Sequence, residues 1–256
     1  MFAMERTLQS YTPVSLEQMK SVRLMNRIDT KYVTTLPKLV SLLELAREEY
    51  WVQEIDGQRN MPYYTLYYDT DMCDMYLEHL RGRKTRQKIR IRAYEHSGVS
   101  FLEVKNKNNK GRTAKKRVAC MAHEKDAHMD FIASHLRYSP EKLMNRIENR
   151  FTRITLVNRN MTERLTIDTN LRFHNFTTNK VCKLDGLVII ELKRDGLTYS
   201  PILELLRQLR IKPSGFSKYC MGMALTDDDL RKNRFKPRLR MVDKMCHIDY
   251  NAPFAV

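Results

Sequence analysis

In the stretch KIRIRAY (88–94), Lys88, Arg90 and Arg92 alternate with Ile89, Ile91 and Ala93. Side chains of an extended strand point to opposite faces in turn, so this spacing sends the cations to one side and the apolar groups to the other. The device returns along the chain. Arg27, Asp29 and Lys31 share a parity, as do Glu103, Lys105 and Lys107, then Lys115 and Arg117. Later, Arg164, Thr166, Asp168, Asn170 and Arg172 share one, and Glu191 pairs with Lys193. An ordinary amphipathic sheet with one wet face would also alternate. Its wet face would mix Thr, Ser and Gln, whereas here Arg and Lys dominate strand after strand. Two unit charges about 4 Å apart repel by roughly 1 kcal/mol in water and roughly 4 kcal/mol at intermediate dielectric. A concave face lined this way is expected to hold an anion. The isolated carboxylates would repel phosphate unless a divalent ion, Mg²⁺ or Mn²⁺, bridges them to phosphate oxygens. That arrangement would align a phosphoryl group for in-line transfer.

The whole composition agrees with a polyanion partner. The net charge is +16, from 46 Lys and Arg against 30 Asp and Glu. Such an excess suits nucleic acid, an acidic membrane surface or condensed phosphate. At 256 residues with 42% apolar side chains, the chain is long enough for one large folded domain. No apolar run approaches the roughly 20 residues needed to span a bilayer, and the start lacks a signal-peptide core. Five scattered cysteines form no CxxC pair, and the histidines, His123 and His128 included, show no metal-site spacing. A reducing, cytoplasmic setting is expected. No P-loop, HRD or DFG motif is present, so phosphate chemistry would have to be done by side chains on strands.

The elements that must position these residues read as follows. Helices are expected near 15–24, over TLPKLVSLLELARE with Pro37 in its first turn, over HEKDAHMDFIASHL, from Ser139-Pro140-Glu141, over YSPILELLRQL and over SGFSKYCMGMAL. Strands are expected at about 26–34, 63–70, 74–80, 85–95, 99–107, 112–119, 150–157, 163–174 and 186–194. The class is α+β with a largely antiparallel sheet. A helical extension over 1–20 and a basic C-terminal tail over 226–256 would flank a single domain. The run RKNRFKPRLR (231–240) reads as a solvated cation tail, able to hold a polyanion or touch an acidic membrane.

NRIDTKYVTT (26–35), KIRIRAY (88–94), FLEVKNK (101–107), RLTIDTNLRF (164–173), VIIELK (188–193) and GFSKYCMG (215–222) occur in this order. Together they resemble the VTC-type polyphosphate polymerase domain, a branch of the triphosphate tunnel metalloenzymes, over roughly residues 20–225. The resemblance implies an eight-stranded antiparallel β-barrel, open at both ends, with helices packed outside. It also implies that a nucleoside triphosphate (ATP) passes its terminal phosphoryl group to a growing polyphosphate chain. Position by position, it makes Arg90, Arg92, Lys105 and Lys218 the catalytic cations. Lys31, Arg153, Arg164, Lys193 and Ser217 would bind phosphate, with Arg27, Lys115 and Arg117 in second rank. Glu191 would hold the Mn²⁺ or Mg²⁺. The match departs at Gly215, where the eukaryotic pattern has another lysine, so primer or product handling is expected to differ. Counterparts of the eukaryotic proteins' regulatory domain and membrane helices are not expected from these residues, and a separate membrane partner is the corresponding expectation.

Two rivals share the fold: a tunnel tripolyphosphatase or nucleoside triphosphatase, and a non-catalytic polyphosphate or nucleotide-binding protein. RNA binding is disfavoured, since there is no RNP1-like motif and aromatic residues do not recur on the cationic face. No nucleic-acid partner is expected, and the sequence does not fix the oligomeric state.

Overall fold

The computed structural model describes residues 2–19, 22, 27–121 and 124–246, leaving aside the side chains of Phe2 and Arg27. His123 lies outside the described residues. The strands are β1 (Pro13–Val14), β2 (Arg27–Thr35), β3 (Tyr50–Gln53), β4 (Met61–Thr70), β5 (Arg86–Tyr94) and β6 (Val99–Lys107). They continue with β7 (Thr113–Ala119), β8 (Leu143–Asn158), β9 (Glu163–Asn175), β10 (Val181–Leu184) and β11 (Leu187–Asp195). The helices are α1 (Phe2–Gln9), α2 (Leu16–Met19), α3 (Leu36–Ala46) and α4 (Asp74–Leu80). After them come α5 (Met129–His135), α6 (Pro201–Gln208), α7 (Lys218–Thr226) and α8 (Lys236–Cys246).

Eight strands form one antiparallel path, β2-β11-β9-β8-β4-β5-β6-β7. Register decides which side chains share a face, because directly opposed residues point the same way. Glu191 stands opposite Lys31 and Thr166, and Lys193 opposite Asp29 and Arg164. Arg153 opposes Asp168, Arg90 opposes Tyr67 and Glu103, and Lys105 opposes Lys88 and Lys115. The alternation in the sequence therefore becomes one continuous cationic face. One irregularity matters. Arg150 pairs with Arg172 but Thr152 with Thr169, so β9 carries an extra residue there, next to Asn170 at φ 55°. This bulge lets both Asp168 and Leu171 face the cationic side.

The sheet is strongly curled. Ser214 N donates to Lys31 O of β2 at 2.7 Å, while Ser217 Oγ accepts from Lys88 Nζ of β5 at 2.7 Å. Those strands are five steps apart on the path, roughly 24 Å in a flat sheet, whereas three residues reach only about 10 Å. The cationic face must be concave.

The closed barrel expected from the sequence is not what the ladders draw. Among the described residues β2 and β7 are the two ends of the path, and β2 is flanked instead by a bridge from Tyr32 to Pro213. The convex face carries two cores. Leu39, Leu42 and Leu43 of α3, with Ile202 and Leu206 of α6, cover Leu165, Ile167, Ile190 and Leu192. Ile132 and Leu136 cover Ile89, Ile91, Leu102 and Val104. A third core lies inside the curl. There α7 packs its Tyr219, Cys220 and Met223 with Val33, Tyr67, Ile147, Phe151, Leu171, Phe173 and Ile189. All eight residues from Tyr219 to Thr226 are buried, as expected of a helix surrounded on every side. So one helix departs from the expected outside packing, and it fills part of the hollow. Its approach is close: a Cβ on Gly222 would meet Phe173 Cδ1 at 2.5 Å and Ile147 Cδ1 at 2.6 Å.

Three local expectations fail for tertiary reasons. Residues 74–80 form α4 rather than a strand, because buried Asp69 accepts from Met75 N and Tyr76 N at 3.0 Å each and Thr70 Oγ1 accepts from Asp74 N. The helix start at 139–141 is a single 3₁₀ turn (Pro140–Lys142), after which β8 pairs with β4 along its length. The run 231–240 is no free tail: Phe235 and Leu239 within it, and Val242 just after it, are buried in the inner core, while Arg231, Arg234, Lys236 and Arg240 stay exposed.

Candidate active site

Three buried or half-buried carboxylates organise the concave face, each held by two cations. Glu103, 1% exposed, accepts from Arg90 Nε at 2.8 Å and Nη2 at 2.6 Å, and from Lys115 Nζ at 3.0 Å. Asp168 accepts a two-pronged bond from Arg153 (Nε to Oδ1 2.6 Å, Nη2 to Oδ2 2.8 Å) and another from Lys218 Nζ. Glu191 faces Lys193 at 3.2 Å and Lys31 at 3.5 Å. Burial alone would raise all three carboxyls. Arg90, Arg92 and Lys115 outweigh it at Glu103, Arg153 and Lys218 at Asp168, and Lys193, Lys31 and Arg153 at Glu191. Each carboxyl is held well below the usual range.

The cations still exceed the carboxylates. Arg90 above all, then burial and Arg92, pushes the Lys105 ammonium down to about 5, and no carboxylate or hydrogen-bond acceptor is paired with it among the described residues. Burial, then Arg153 and Arg164, brings Lys193 down to about 8 despite Glu191. Burial, then Arg90 and Arg153, depresses Arg92, whose Nε is buried without a hydrogen-bond partner. The phenol of Tyr67 shows the same field. Burial opposes its ionisation, yet Arg90, Arg92, Lys218 and Lys88 together pull it below the ordinary tyrosine value. Such a hollow is short of negative charge.

α7 brings in the last members. Ser217 caps the helix by accepting from Cys220 N at 3.3 Å while also accepting from Lys88. Lys218, the next residue, lies over the Phe151 ring at 4.3 Å. Packing of an apolar helix thus aims one ammonium at the charged half of the hollow.

Of the residues singled out from sequence, Lys31, Arg90, Arg92, Lys105, Arg153, Arg164, Lys193, Lys218, Ser217 and Glu191 come together on this face or at its α7 end. Lys115 joins through Glu103, but from the exposed edge strand. Arg117, also exposed on β7, lies over Phe101 at 4.4 Å. The Arg27 side chain lies outside the described residues. Sequence reasoning places Lys88 on the cationic face without giving it a role, and it does not find Tyr67 or the pairing roles of Glu103 and Asp168. Lys88 carried a usable signal, since it shares the parity of Arg90 and Arg92. The argument from missing aromatics was mistaken: Tyr63, Tyr67, Phe101 and Phe151 do share the cationic face. Tyr67 and Phe151 are buried beneath cations, with Arg153 5.0 Å from the Tyr63 ring centre and 5.3 Å from that of Phe151, and so offer no open platform for bases.

Among the described residues no three His, Cys, Asp or Glu side chains gather as a metal site. Glu191 offers one ionised carboxylate on the concave face. That donor fits a hard divalent ion that completes its shell with phosphate oxygens, the usual way Mg²⁺ is held beside phosphates.

Also among the described residues, no helix is long and apolar enough to cross a membrane. No curated protein matches the chain. Among solved structures, HpAC1 from Hippeastrum, described with a dominant triphosphatase activity, is 15% identical with a TM-score of 0.47, over 77% of this chain and 95% of its own. A conserved hypothetical protein from Pyrococcus furiosus is 11% identical with a TM-score of 0.40, over 73% and 91%. A chain of the Schizosaccharomyces pombe Mediator head module is 8% identical with a TM-score of 0.38, over 72% and 90%. At these values the three likenesses carry no functional weight. The family model of the VTC domain matches residues 26–227, which takes in the strands and helix that build the hollow, and the chain belongs to the VTC domain family.

Proposed function

We propose that the chain is a metal-dependent polyphosphate polymerase, moving the terminal phosphoryl group of ATP onto a condensed phosphate chain. On this reading the eight strands are the wall of a triphosphate tunnel with its seam between β2 and β7. Arg90, Arg92, Lys105 and Lys218 surround the transferring group, while Lys31, Arg153, Arg164, Lys193 and Ser217 hold the flanking phosphates. Glu191 would hold Mn²⁺ or Mg²⁺, which when bound neutralises charge on the phosphate oxygens.

One observation carries the choice of acceptor. Glu103, Asp168 and Glu191 are each clamped by two cations and held well below the usual carboxylate range. Activating water calls for a base that titrates near working pH; none of these three carboxylates does, and Lys193, brought down to about 8, is tied to Glu191 at 3.2 Å. A terminal phosphate of a growing chain is already an anionic nucleophile and needs only positive surroundings to approach another phosphate. The hollow favours that acceptor over water.

Incubation with ATP and Mn²⁺, with products resolved by gel and phosphorus NMR, tests the proposal. Long chains accompanied by ADP support it. Orthophosphate as the sole product would assign hydrolysis, and tight tripolyphosphate binding without turnover would assign a binding protein. Glu191→Gln is expected to abolish turnover while keeping most tripolyphosphate affinity, and full activity in that variant would end the metal assignment.

A further inference from the structure

Beyond the hollow, cations from three separate elements meet where β5 begins, β6 ends and the chain enters α7. Arg86 stands opposite Lys107 in the β5–β6 ladder. Arg238, in the first turn of α8, lies with its Nη2 3.5 Å from where a Cβ of Gly215 would be. The guanidinium therefore lies against the backbone at Gly215, within ordinary contact distance. Nothing in the sequence spacing foretells the meeting, since 23 positions separate Gly215 from Arg238. Leu239 and Val242 anchor α8 in the inner core, which fixes where Arg238 sits.

Lys88, Arg86, Arg238 and Lys107 all bear on one half-buried imidazole, that of His79, whose Nδ1 lies 3.1 Å from Cys220 Sγ of α7. Burial first, then these four, hold His79 down to about 2. Lys31 adds to the field felt by both Lys88 and Lys107, so the cluster is continuous with the hollow. Among the described residues Arg86, Lys107 and Arg238 have no carboxylate partner; Arg86 donates through Nη1 to Arg83 O at 2.8 Å, which leaves its other donors for a ligand. Arg234, close by, is spent otherwise: it donates to Arg81 O at 2.6 Å and seals the turn at Gly82, whose φ is +73°.

We propose that Arg86, Lys107 and Arg238 form an outer subsite for condensed phosphate, taking the part of a chain that extends beyond the hollow past Lys31 and Lys88. The subsite rests on the reading of the hollow as a phosphate site, and it replaces by a distant arginine the cation that position 215 does not supply.

The test compares tripolyphosphate, too short to occupy both places, with long-chain sodium polyphosphate, each titrated into the whole protein. Arg238→Ala is expected to weaken long-chain binding about fivefold to tenfold, as for one exposed charge-assisted contact, and to leave tripolyphosphate affinity unchanged. Arg86→Ala/Arg238→Ala should weaken it further, and Arg238→Lys should restore most of it. Melting temperatures of the free variants check that α8 stays docked. Equal affinity of Arg238→Ala and wild type for the long chain overturns the subsite alone, as does an equal loss for both lengths. Failure of the wild type to bind either ligand would overturn the phosphate reading and the subsite with it.

Discussion

Replacing Lys105 by Met should remove a proton from the binding reaction. In the free protein Lys105 titrates at about 5, held down first by Arg90, then by burial and Arg92. At pH 7 roughly one molecule in a hundred would then carry the ammonium, against nearly all for an ordinary lysine. A phosphate placed beside it restores the charge, so binding takes up close to one proton. The bound state holds more protons than the free one, hence affinity falls as pH rises. Between about pH 5 and the pKa of the bound form, Kd should grow by up to tenfold per pH unit. Deprotonation of the ligand works in the opposite direction, so the informative quantity is the difference between wild type and Lys105→Met. Calorimetric titration of tripolyphosphate in buffers of different ionisation enthalpy measures it, and a difference of about one proton at pH 7 is expected. The free protein supplies a second sign. Between about pH 5 and 10 the unfolded chain holds this proton and the native chain does not, so stability rises with pH there. Lys105→Met should raise the melting temperature at pH 7, with the gain shrinking towards pH 10. Identical proton uptake in the two proteins would refute the account of the hollow as charge-starved.

Other perturbations follow from the same geometry. Glu103→Gln leaves the buried Arg90 without its counter-charge and should destabilise the free protein by about 3 kcal/mol, or about 6–12 °C in melting temperature. Tripolyphosphate should recover most of that loss in a thermal scan, and failure to do so would make the damage one of packing. Gly222→Ala, which puts a methyl against Phe173 and Ile147, should cost about 1–3 kcal/mol and weaken tripolyphosphate binding by displacing Lys218, readable by calorimetry. Arg90→Ala should weaken tripolyphosphate about tenfold or more, measured in the same titration.

Much of the cationic face could be read from parity, because a strand period of two survives any tertiary arrangement. Arg90, Arg92, Lys105, Glu191 and Lys193 all fall where alternation puts them. What parity cannot reveal is how strands far apart in sequence meet. That Asp168 answers both Arg153 and Lys218 depends on a bulge at Asn170 and on a helix lodged within the curl. Residues 74–80 read as a strand because the local pattern does not show that the first amides of α4 are satisfied by Asp69, a residue of the preceding strand. The basic run near the C-terminus looked solvated because three apolar residues among many cations carry little weight in composition, yet Phe235, Leu239 and Val242 suffice to dock it. Gly215 read as a lost charge, and only folding brings Arg238 to it.

The two sides of the hollow differ in what ties them down. Lys218 rides on a helix enclosed by core on all sides, whereas Lys115 sits on an edge strand that is exposed along most of its length and, among the described residues, paired with β6 alone. Opening fluctuations should therefore start at Thr113–Ala119 and reach α7 last. Backbone deuteration would run fastest along that edge and slowest in the helix, so one flank of the cavity can loosen around its contents while the other holds still.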